Sequence, residues 1–217
     1  FFINKMIRDG NYLQLSSYQN FVKNYINPNT PYSRLMIKWE TGIGKTVAGL
    51  SIAMNFIQYY QREALNDAPD IGSVFIIGFT SVQFKTELLR HPEFGIISRK
   101  ELQKLLALKK LAVSGNKFDI ENHQEFLMRI KKRFNNRENN GFFEFIGYKK
   151  LFNMIFLVKD SKINITNMNE KEIDDAIQKD KIKLNVELLK RFKNSIIICD
   201  EIHNTYNSLE KNNWGIA

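Results

Sequence analysis

A glycine-containing segment, "WETGIGKT" (residues 39–46), constrains the fold of this chain more than any other feature. The apolar run "RLMIKW" (34–39) precedes it as a strand candidate, and apolar residues at helical spacing follow it. Those residues are Val47, Leu50, Met54, Ile57 and Tyr60. A strand, a glycine turn and a helix in this order are typical of a phosphate-binding loop.

Strand and helix patterns alternate along the chain. Strands are predicted in "SVFIIGF" (73–79), "FFEFIGY" (142–148) and "SIIICDE" (195–201). Helices are predicted around 13–26 and over 82–90, 99–112 and 121–134. The alternation predicts an α/β fold, a mainly parallel sheet with helices on both faces. The apolar "SIIIC" predicts a strand buried on both faces, with Cys199 as a small buried residue.

Three further segments are predicted from composition. "RFNNRENNG" (133–141) is expected to be an exposed loop, and residues 159–193, dense in Lys, Asp, Glu and Asn, a partly helical insertion on the surface. "NPNTP" (27–31) favours turns. We therefore expect an N-terminal helical segment over 1–30 and a nucleotide-binding domain over 31–217.

Each residue of the glycine loop has an expected task. Gly42 and Gly44 have no side chains, which leaves room for backbone N–H groups to face a phosphate. Thr41 and Ile43 complete the set of loop residues expected to bind the nucleotide. Lys45 would reach the β- and γ-phosphates, and the Thr46 hydroxyl would bind Mg²⁺. A chance G-x-G-K-[ST] occurs in roughly one chain in a hundred of this size, so the loop alone is not decisive.

The second half of the predicted nucleotide site is "IIICDEIH" (196–203). A carboxylate at the end of a buried parallel strand lies where open α/β sheets bind ligands. Asp200 would hold Mg²⁺, and Glu201 would orient and deprotonate the water that attacks the γ-phosphate. An Asp-Glu pair alone also fits a solvated helix start, but the apolar strand before it favours the catalytic interpretation.

The charge of the chain is strongly positive. The formal net charge is +9, and residues 85–150 hold 15 Lys and Arg against 8 Asp and Glu. This favours a nucleic-acid partner, although a solvated helical face would explain "KKRF" (131–134) equally well.

The single cysteine excludes an internal disulfide and favours a reducing, intracellular location. No apolar run reaches the length of a membrane span, so we expect no membrane partner.

The paired motifs resemble a known family. "ETGIGKT" with "DEIH" resembles motifs I and II of superfamily 2 DExH helicases. With "FIIGFT" and "GFFEFIGYKKL", the chain looks like the helicase-type proteins of nucleocytoplasmic large DNA viruses. That group includes asfarvirus and mimivirus helicase-like proteins and, more distantly, the small subunit of the poxvirus early transcription factor. The resemblance covers most of the chain, is weakest over 159–193, and implies a RecA-like P-loop NTPase lobe.

The resemblance also implies residue roles. Gln19, in "LSSYQNFV", would recognise adenine, and His203 would couple ATP hydrolysis to nucleic-acid binding. Trp39, where most phosphate loops begin with glycine, is a mild departure within this superfamily. Four residues that follow strands would contact the nucleic-acid backbone: Thr80, Ser81, Tyr148 and Lys149. A helix cap and a partly buried aromatic residue are the ordinary alternatives for these positions.

The implied activity is nucleic-acid-dependent ATP hydrolysis in viral transcription, with ATP and Mg²⁺ as cofactors. The expected partners are DNA rather than RNA, a second RecA-like lobe of the same parent chain, and a viral RNA polymerase or transcription factor subunit. The expected location is the virion or a viral factory in the host cytoplasm.

Because the sequence begins Phe-Phe and stops soon after motif II, we expect a part of a longer protein, truncated before the second lobe. That part alone would bind ATP weakly and hydrolyse it slowly. Two alternatives are a P-loop kinase, for which no compact arginine-rich lid is seen, and an ATP-responsive interaction module without hydrolysis. Glu201 counts against the module, which has no need of a catalytic base.

Overall fold

The computed structural model describes residues 13–40, 42–66, 71–79, 81–139, 141–159, 163–165 and 168–203. The chain divides into two compact units. The first, called here the helical unit, comprises Phe1–Arg62 and Val82–Phe142. The second, called the sheet unit, comprises Glu63–Ser81 and Phe143–Ala217.

Helices supply the regular structure of the helical unit. They are α1 (Ser17–Tyr25), α2 (Lys45–Leu65), α3 (Val82–Arg90), α4 (Arg99–Ala112) and α5 (Lys117–Lys131), with short 3₁₀ turns at Pro92–Phe94 and Arg137–Asn139. The predicted helices over 82–90 and 99–112 are confirmed with their bounds. Ser98 explains the start of α4, because its hydroxyl accepts the Glu101 N–H and the Glu101 carboxylate accepts the Ser98 N–H.

The third predicted helix of this unit is displaced. α5 begins at Lys117 rather than at residue 121, because the Asn116 side chain caps it by accepting the Phe118 N–H at 3.0 Å. It ends at Lys131, and a turn follows. Within that turn Phe134 is only 5% exposed, so the prediction of an exposed loop over 133–141 is wrong at this residue.

The predicted strand over 34–39 is also wrong. No regular secondary structure is present at residues 32–40. Leu35 is 40% exposed and Met36 is 86% exposed. An apolar run becomes a strand when its side chains are buried and its backbone is paired, and neither holds for these two residues in the described part of the chain.

Three parallel strands form the main sheet of the sheet unit. They are β1 (Val74–Ile77), β2 (Phe143–Ile146) and β5 (Ile196–Cys199), in the order β2-β1-β5. Val74 is in register with Phe143 on one side and with Ile196 on the other. Every residue of the central strand β1 is buried, as an all-apolar parallel strand requires. The predicted α/β class with a parallel sheet is confirmed.

Two helices cover one face of this sheet within the unit. α6 (Tyr148–Ile155) follows β2, and α8 (Val186–Phe192) precedes β5. Phe75 and Ile77 of β1 pack with side chains from both helices. The rings of Phe75 and Phe192 meet edge to face, with centroids 4.7 Å apart. This packing fixes α6 at the carboxyl end of β2.

The edge strand β5 departs from its prediction. Ile197 is 43% exposed and Cys199 is exposed, so burial on both faces is wrong. The parallel register places both side chains on the face of Phe75 and Ile77. Because β5 pairs only with β1 in the described chain, it lies at the margin of the sheet, where covering helices shield it less.

The segment predicted as a surface insertion (159–193) shares a hydrophobic core with the residues directly before it. β3 (Phe156–Val158) pairs antiparallel with β4 (Ile182–Leu184), and α7 (Glu170–Gln178) lies between them in sequence. The buried residues of this core are Phe152, Ile155, Phe156, Ile165, Ile173, Ala176, Ile182 and Leu188. The helical part of the prediction is confirmed, but sparse apolar residues in a polar sequence hid β4 and the part of the core that this segment supplies.

Candidate functional site

Two glycines of the loop have backbone conformations that residues with side chains rarely adopt. Gly42 has φ of 89° and Gly44 has φ of 85°, left-handed values that glycine adopts without steric cost. The 21-residue helix α2 begins directly after the loop and has no acidic residue in its first turn. Its N-terminus therefore presents N–H groups and a positive dipole end to an anion.

Lys45 and Thr46 are the first two residues of α2, and both are half-buried. An ammonium and a hydroxyl at this position suit a triphosphate and the metal ion bound to it. Ile43, in the loop, is 44% exposed, and Trp39 before the loop is half-buried. Thr41 lies outside the described residues.

Gln19 connects α1 to the glycine loop. Its Oε1 accepts the Ser16 N–H at 2.9 Å, closing the capping box of α1, and its Nε2 donates to the Gly44 carbonyl at 3.1 Å. The same carbonyl accepts the Ala48 N–H at 3.0 Å. Gln19 is 8% exposed, so the amide is held in place. Adenine recognition stays a prediction, and the contact with the loop is a second task that sequence reasoning missed.

In the sheet unit, the Asp200 backbone is held at both of its polar atoms. Its N–H donates to the Ile77 carbonyl at 2.8 Å, and its carbonyl accepts the Tyr148 hydroxyl at 2.8 Å. The next residue, Glu201, has φ of 53°, which is uncommon for a residue other than glycine. The predicted acidic pair thus follows the carboxyl end of β5, next to the end of β1.

Tyr148 is the buried first residue of α6. Its ring packs against Phe79, with centroids 5.2 Å apart. Burial raises the pKa of the Tyr148 phenol, and negative charge on Cys199, Asp200 and Glu201 raises it further. The hydroxyl is therefore protonated at neutral pH and acts as a hydrogen-bond donor.

The predicted coupling residue contacts the predicted base. His203 Nδ1 lies 3.4 Å from Glu201 Oε2, and the side chains are 70% and 44% exposed, respectively. Both side chains are therefore accessible to water and to a ligand. Coupling by His203 stays a prediction.

The four predicted nucleic-acid residues have different surroundings. Lys149 is exposed in the first turn of α6, and Ser81 is half-buried directly before α3. Tyr148 is buried, with its hydroxyl directed at the Asp200 carbonyl. Thr80 lies outside the described residues. Contact with nucleic acid stays a prediction for all four.

In the part of the chain that the structure describes, no group of three or more His, Cys, Asp or Glu side chains could hold a metal ion. Thr46 and Asp200 offer hard oxygen ligands of the kind Mg²⁺ prefers. Thr46 belongs to the helical unit and Asp200 to the sheet unit, and magnesium binding stays a prediction for each of them. Over the described residues, no helix is both long and apolar enough to cross a membrane.

Comparison with known proteins gives relatives over nearly the whole chain. No protein-family model and no solved structure matches it. The chain is 36% identical over 230 residues to the early transcription factor large subunit homolog of a Malawi tick isolate of African swine fever virus, covering 94% of this chain and 21% of the relative. The homolog from the Vero-adapted Badajoz strain is also 36% identical over 94% of this chain, and 20% of it is covered.

A shorter match involves a helicase. A protein of Acanthamoeba polyphaga mimivirus named as an ATP-dependent RNA helicase is 45% identical over 47 residues, 22% of this chain and 4% of the relative. The chain spans about a fifth of the length of the African swine fever virus relatives. Their name refers to a large subunit, whereas the resemblance drawn from the motifs included the poxvirus small subunit. The chain is therefore similar to viral transcription factor homologs and, over a shorter stretch, to a viral helicase-type protein.

Proposed function

We propose that this chain is the ATP-binding part of a nucleic-acid-dependent ATPase of the helicase or translocase type that acts in viral transcription. The glycine loop carries the proposal: Gly42 and Gly44 have left-handed backbones immediately before the N-terminus of α2. Lys45 and Thr46 follow at the positions that phosphate and magnesium chemistry requires. The names of the relatives support transcription and a helicase-type activity.

The proposed reaction assigns one task to each residue. The loop N–H groups and Lys45 bind the β- and γ-phosphates and neutralise the charge that develops on them. Mg²⁺ would be held by Thr46 and Asp200 and would offset negative charge on the phosphates. Glu201 accepts a proton from water while the water oxygen bonds to the γ-phosphorus. The bond from that phosphorus to the β,γ-bridging oxygen breaks, and ADP leaves with the electron pair.

The proposed track is DNA. The positive charge concentrated in residues 85–150 and the exposed Lys149 support a polyanionic partner. A second RecA-like lobe of the same protein and a viral RNA polymerase or transcription factor subunit complete the proposed assembly. In such a motor the ATP residues and the DNA contacts act together, and His203 beside Glu201 is the proposed point of coupling.

The test measures ATP binding and DNA-stimulated ATP hydrolysis by the full-length protein. We expect Lys45→Ala and Glu201→Gln each to lower kcat by about 100-fold or more, with ATP binding retained in the glutamine variant. Lys171→Ala and Glu187→Gln, exposed residues of α7 and α8, are the matched controls and should match wild type.

The same measurements separate the alternatives. Normal turnover by the Glu201→Gln variant would exclude Glu201 as the base. A wild-type protein that binds ATP but shows no turnover with any nucleic acid would contradict the enzyme proposal and favour an ATP-responsive interaction module.

A further inference from the structure

Asp200, which precedes Glu201, is held by two hydrogen bonds from different elements. The Asp200 N–H is bonded to the end of β1 through Ile77, and the Asp200 carbonyl is bonded to the Tyr148 hydroxyl. Each distance is 2.8 Å, within the normal range for a hydrogen bond to a carbonyl. The two bonds together fix the orientation of Asp200 at the end of the sheet.

Fixing the Asp200 carbonyl constrains Glu201. The carbonyl belongs to the planar peptide between Asp200 and Glu201, so its direction sets the plane from which φ of Glu201 is measured. That φ is 53°, and a non-glycine residue in this region is strained, so it persists only where its surroundings hold it. Without the bond to Tyr148, Glu201 could relax to a right-handed or extended backbone and its carboxylate would move.

Tyr148 is itself rigidly placed. It is 6% exposed, packs on Phe79 and belongs to the cluster that includes Phe75 and Ile146. Gly147 before it follows β2, and the Gly78 N–H donates to the Ile146 carbonyl at 3.2 Å, which ties the ends of β1 and β2 together. The hydroxyl therefore projects from a fixed ring on a fixed helix start.

We infer that Tyr148 is a positioning residue for Glu201: its hydroxyl holds the Asp200 carbonyl and thereby keeps the Glu201 carboxylate in the orientation needed to activate water. The inference rests on the proposed function. It gives the buried tyrosine a task that is separate from contact with nucleic acid, because its hydroxyl is engaged inside the protein.

Tyr148→Phe tests the inference with the loss of one oxygen atom, since the ring and its packing are retained. In the full-length protein we expect kcat for DNA-stimulated ATP hydrolysis to fall about 10-fold, the loss that one hydrogen bond allows, with KM for ATP unchanged. A merely structural defect would lower the amount of folded protein rather than kcat per folded molecule. Tyr59→Phe, a partly exposed tyrosine of α2, is the control.

The double variant Tyr148→Phe with Glu201→Gln shows whether Tyr148 acts through Glu201. If it does, the tyrosine change lowers the residual rate of the glutamine variant no further, because the carboxylate it positions is already gone. Additive losses would overturn the inference.

A second measurement does not depend on ATP turnover. Hydrogen exchange of peptides covering residues 196–203 should be faster in Tyr148→Phe than in wild type, because the Asp200–Glu201 segment loses one of its two anchors. If wild type hydrolyses ATP and the phenylalanine variant has the same kcat, the positioning role is overturned while the proposed function stands. If wild type shows no turnover, the proposed function fails, and hydrogen exchange alone tests the role of Tyr148. Faster exchange in the phenylalanine variant then supports the hydrogen bond as an anchor of the Asp200–Glu201 segment, and unchanged exchange overturns that role.

Discussion

The side-chain amide of Gln19 donates a hydrogen bond to the Gly44 carbonyl, across 25 positions of sequence. This bond joins the cap of α1 to the last residue of the glycine loop before α2. Gln19→Ala removes it and opens the capping box at Ser16, so the loop should lose a fixed point. We expect KM for ATP to rise about 10-fold with kcat little changed.

Comparing nucleotides separates the two tasks of Gln19. A loop anchor affects ATP and GTP alike, whereas adenine recognition affects ATP alone. Steady-state kinetics of the full-length protein with both nucleotides make the distinction, and Gln124→Ala, an exposed residue of α5, serves as the control. A KM for ATP equal to that of wild type would show that neither task matters.

The two loop glycines should differ in their tolerance of alanine. Both have left-handed φ values, so each alanine variant is strained by about 1–2 kcal/mol. A Cβ on Gly42 meets no atom within 4 Å, but a Cβ on Gly44 would lie 2.5 Å from Gln19 Nε2. Gly44→Ala should therefore weaken ATP binding more than Gly42→Ala, as measured by nucleotide titration.

The clash can be relieved separately from the strain. Combining Gly44→Ala with Gln19→Ala removes the amide that would collide with the new Cβ. The double variant then loses ATP affinity only through the backbone strain at residue 44 and the missing Gln19 hydrogen bond, and the loss should not exceed the sum of these two effects. Equal affinities for Gly42→Ala and Gly44→Ala would contradict the importance of this contact.

Local signals made elements of both units predictable. The start of α4 follows from Ser98 and Glu101, three residues apart, which close a capping box there. The position of β1 follows from an apolar run that the sheet buries completely. In both cases the residues that decide the structure lie within one short segment.

Relations between distant residues were not predictable from one sequence. Tyr148 and Asp200 are 52 positions apart, and no local pattern pairs a hydroxyl with one particular carbonyl. β3 and β4 have three residues each, too few to show an alternation. At residues 34–39 the sequence predicted an element that the structure lacks. The apolar residues there favour a strand, but Met36 is exposed.

His203 should affect stimulation by DNA more than basal turnover. Its Nδ1 lies 3.4 Å from the Glu201 carboxylate, so its removal leaves the base in place but deletes its polar neighbour. We expect His203→Ala to keep basal ATP hydrolysis and to lose most of the increase caused by DNA. Titration of ATPase rate with DNA measures this, with His123→Ala on α5 as the control. Full stimulation in the His203 variant would refute coupling through this contact.

An ion pair should make the α4–α5 region sensitive to acid. Arg133 donates to both carboxylate oxygens of Glu101, at 2.7 and 3.1 Å. The hydrogen bond from Arg133, with smaller contributions from Ser98, lowers the pKa of Glu101 from 4.5 to about 2. The folded protein therefore binds this proton less readily than the unfolded chain. The stabilisation is complete above about pH 4.5 and is lost as the pH falls towards 2.

Glu101→Gln should remove this pH dependence. At pH 7 we expect the local opening free energy of α4 and α5 to fall by about 1–2 kcal/mol, and the difference from wild type to shrink as the pH approaches 3. Hydrogen exchange of peptides from both helices measures it, and Glu125→Gln, an exposed residue of α5, is the control. An undiminished difference at pH 3 would show that charge is not responsible.

Lys149 offers a test of contact with the nucleic-acid backbone that does not depend on ATP turnover. It is exposed in the first turn of α6, next to the buried Tyr148. If its ammonium neutralises one phosphate, Lys149→Ala should weaken DNA binding similarly for all sequences. It should also reduce the slope of log affinity against log salt by about 0.9. Binding titrations of the full-length protein over a range of salt concentrations give both quantities. Lys171→Ala, an exposed lysine of α7, removes the same charge away from the sheet edge and should leave the slope unchanged. Equal slopes for wild type and Lys149→Ala would place the phosphate contacts elsewhere on the protein, whereas equal losses in the two variants would indicate a general effect of net charge.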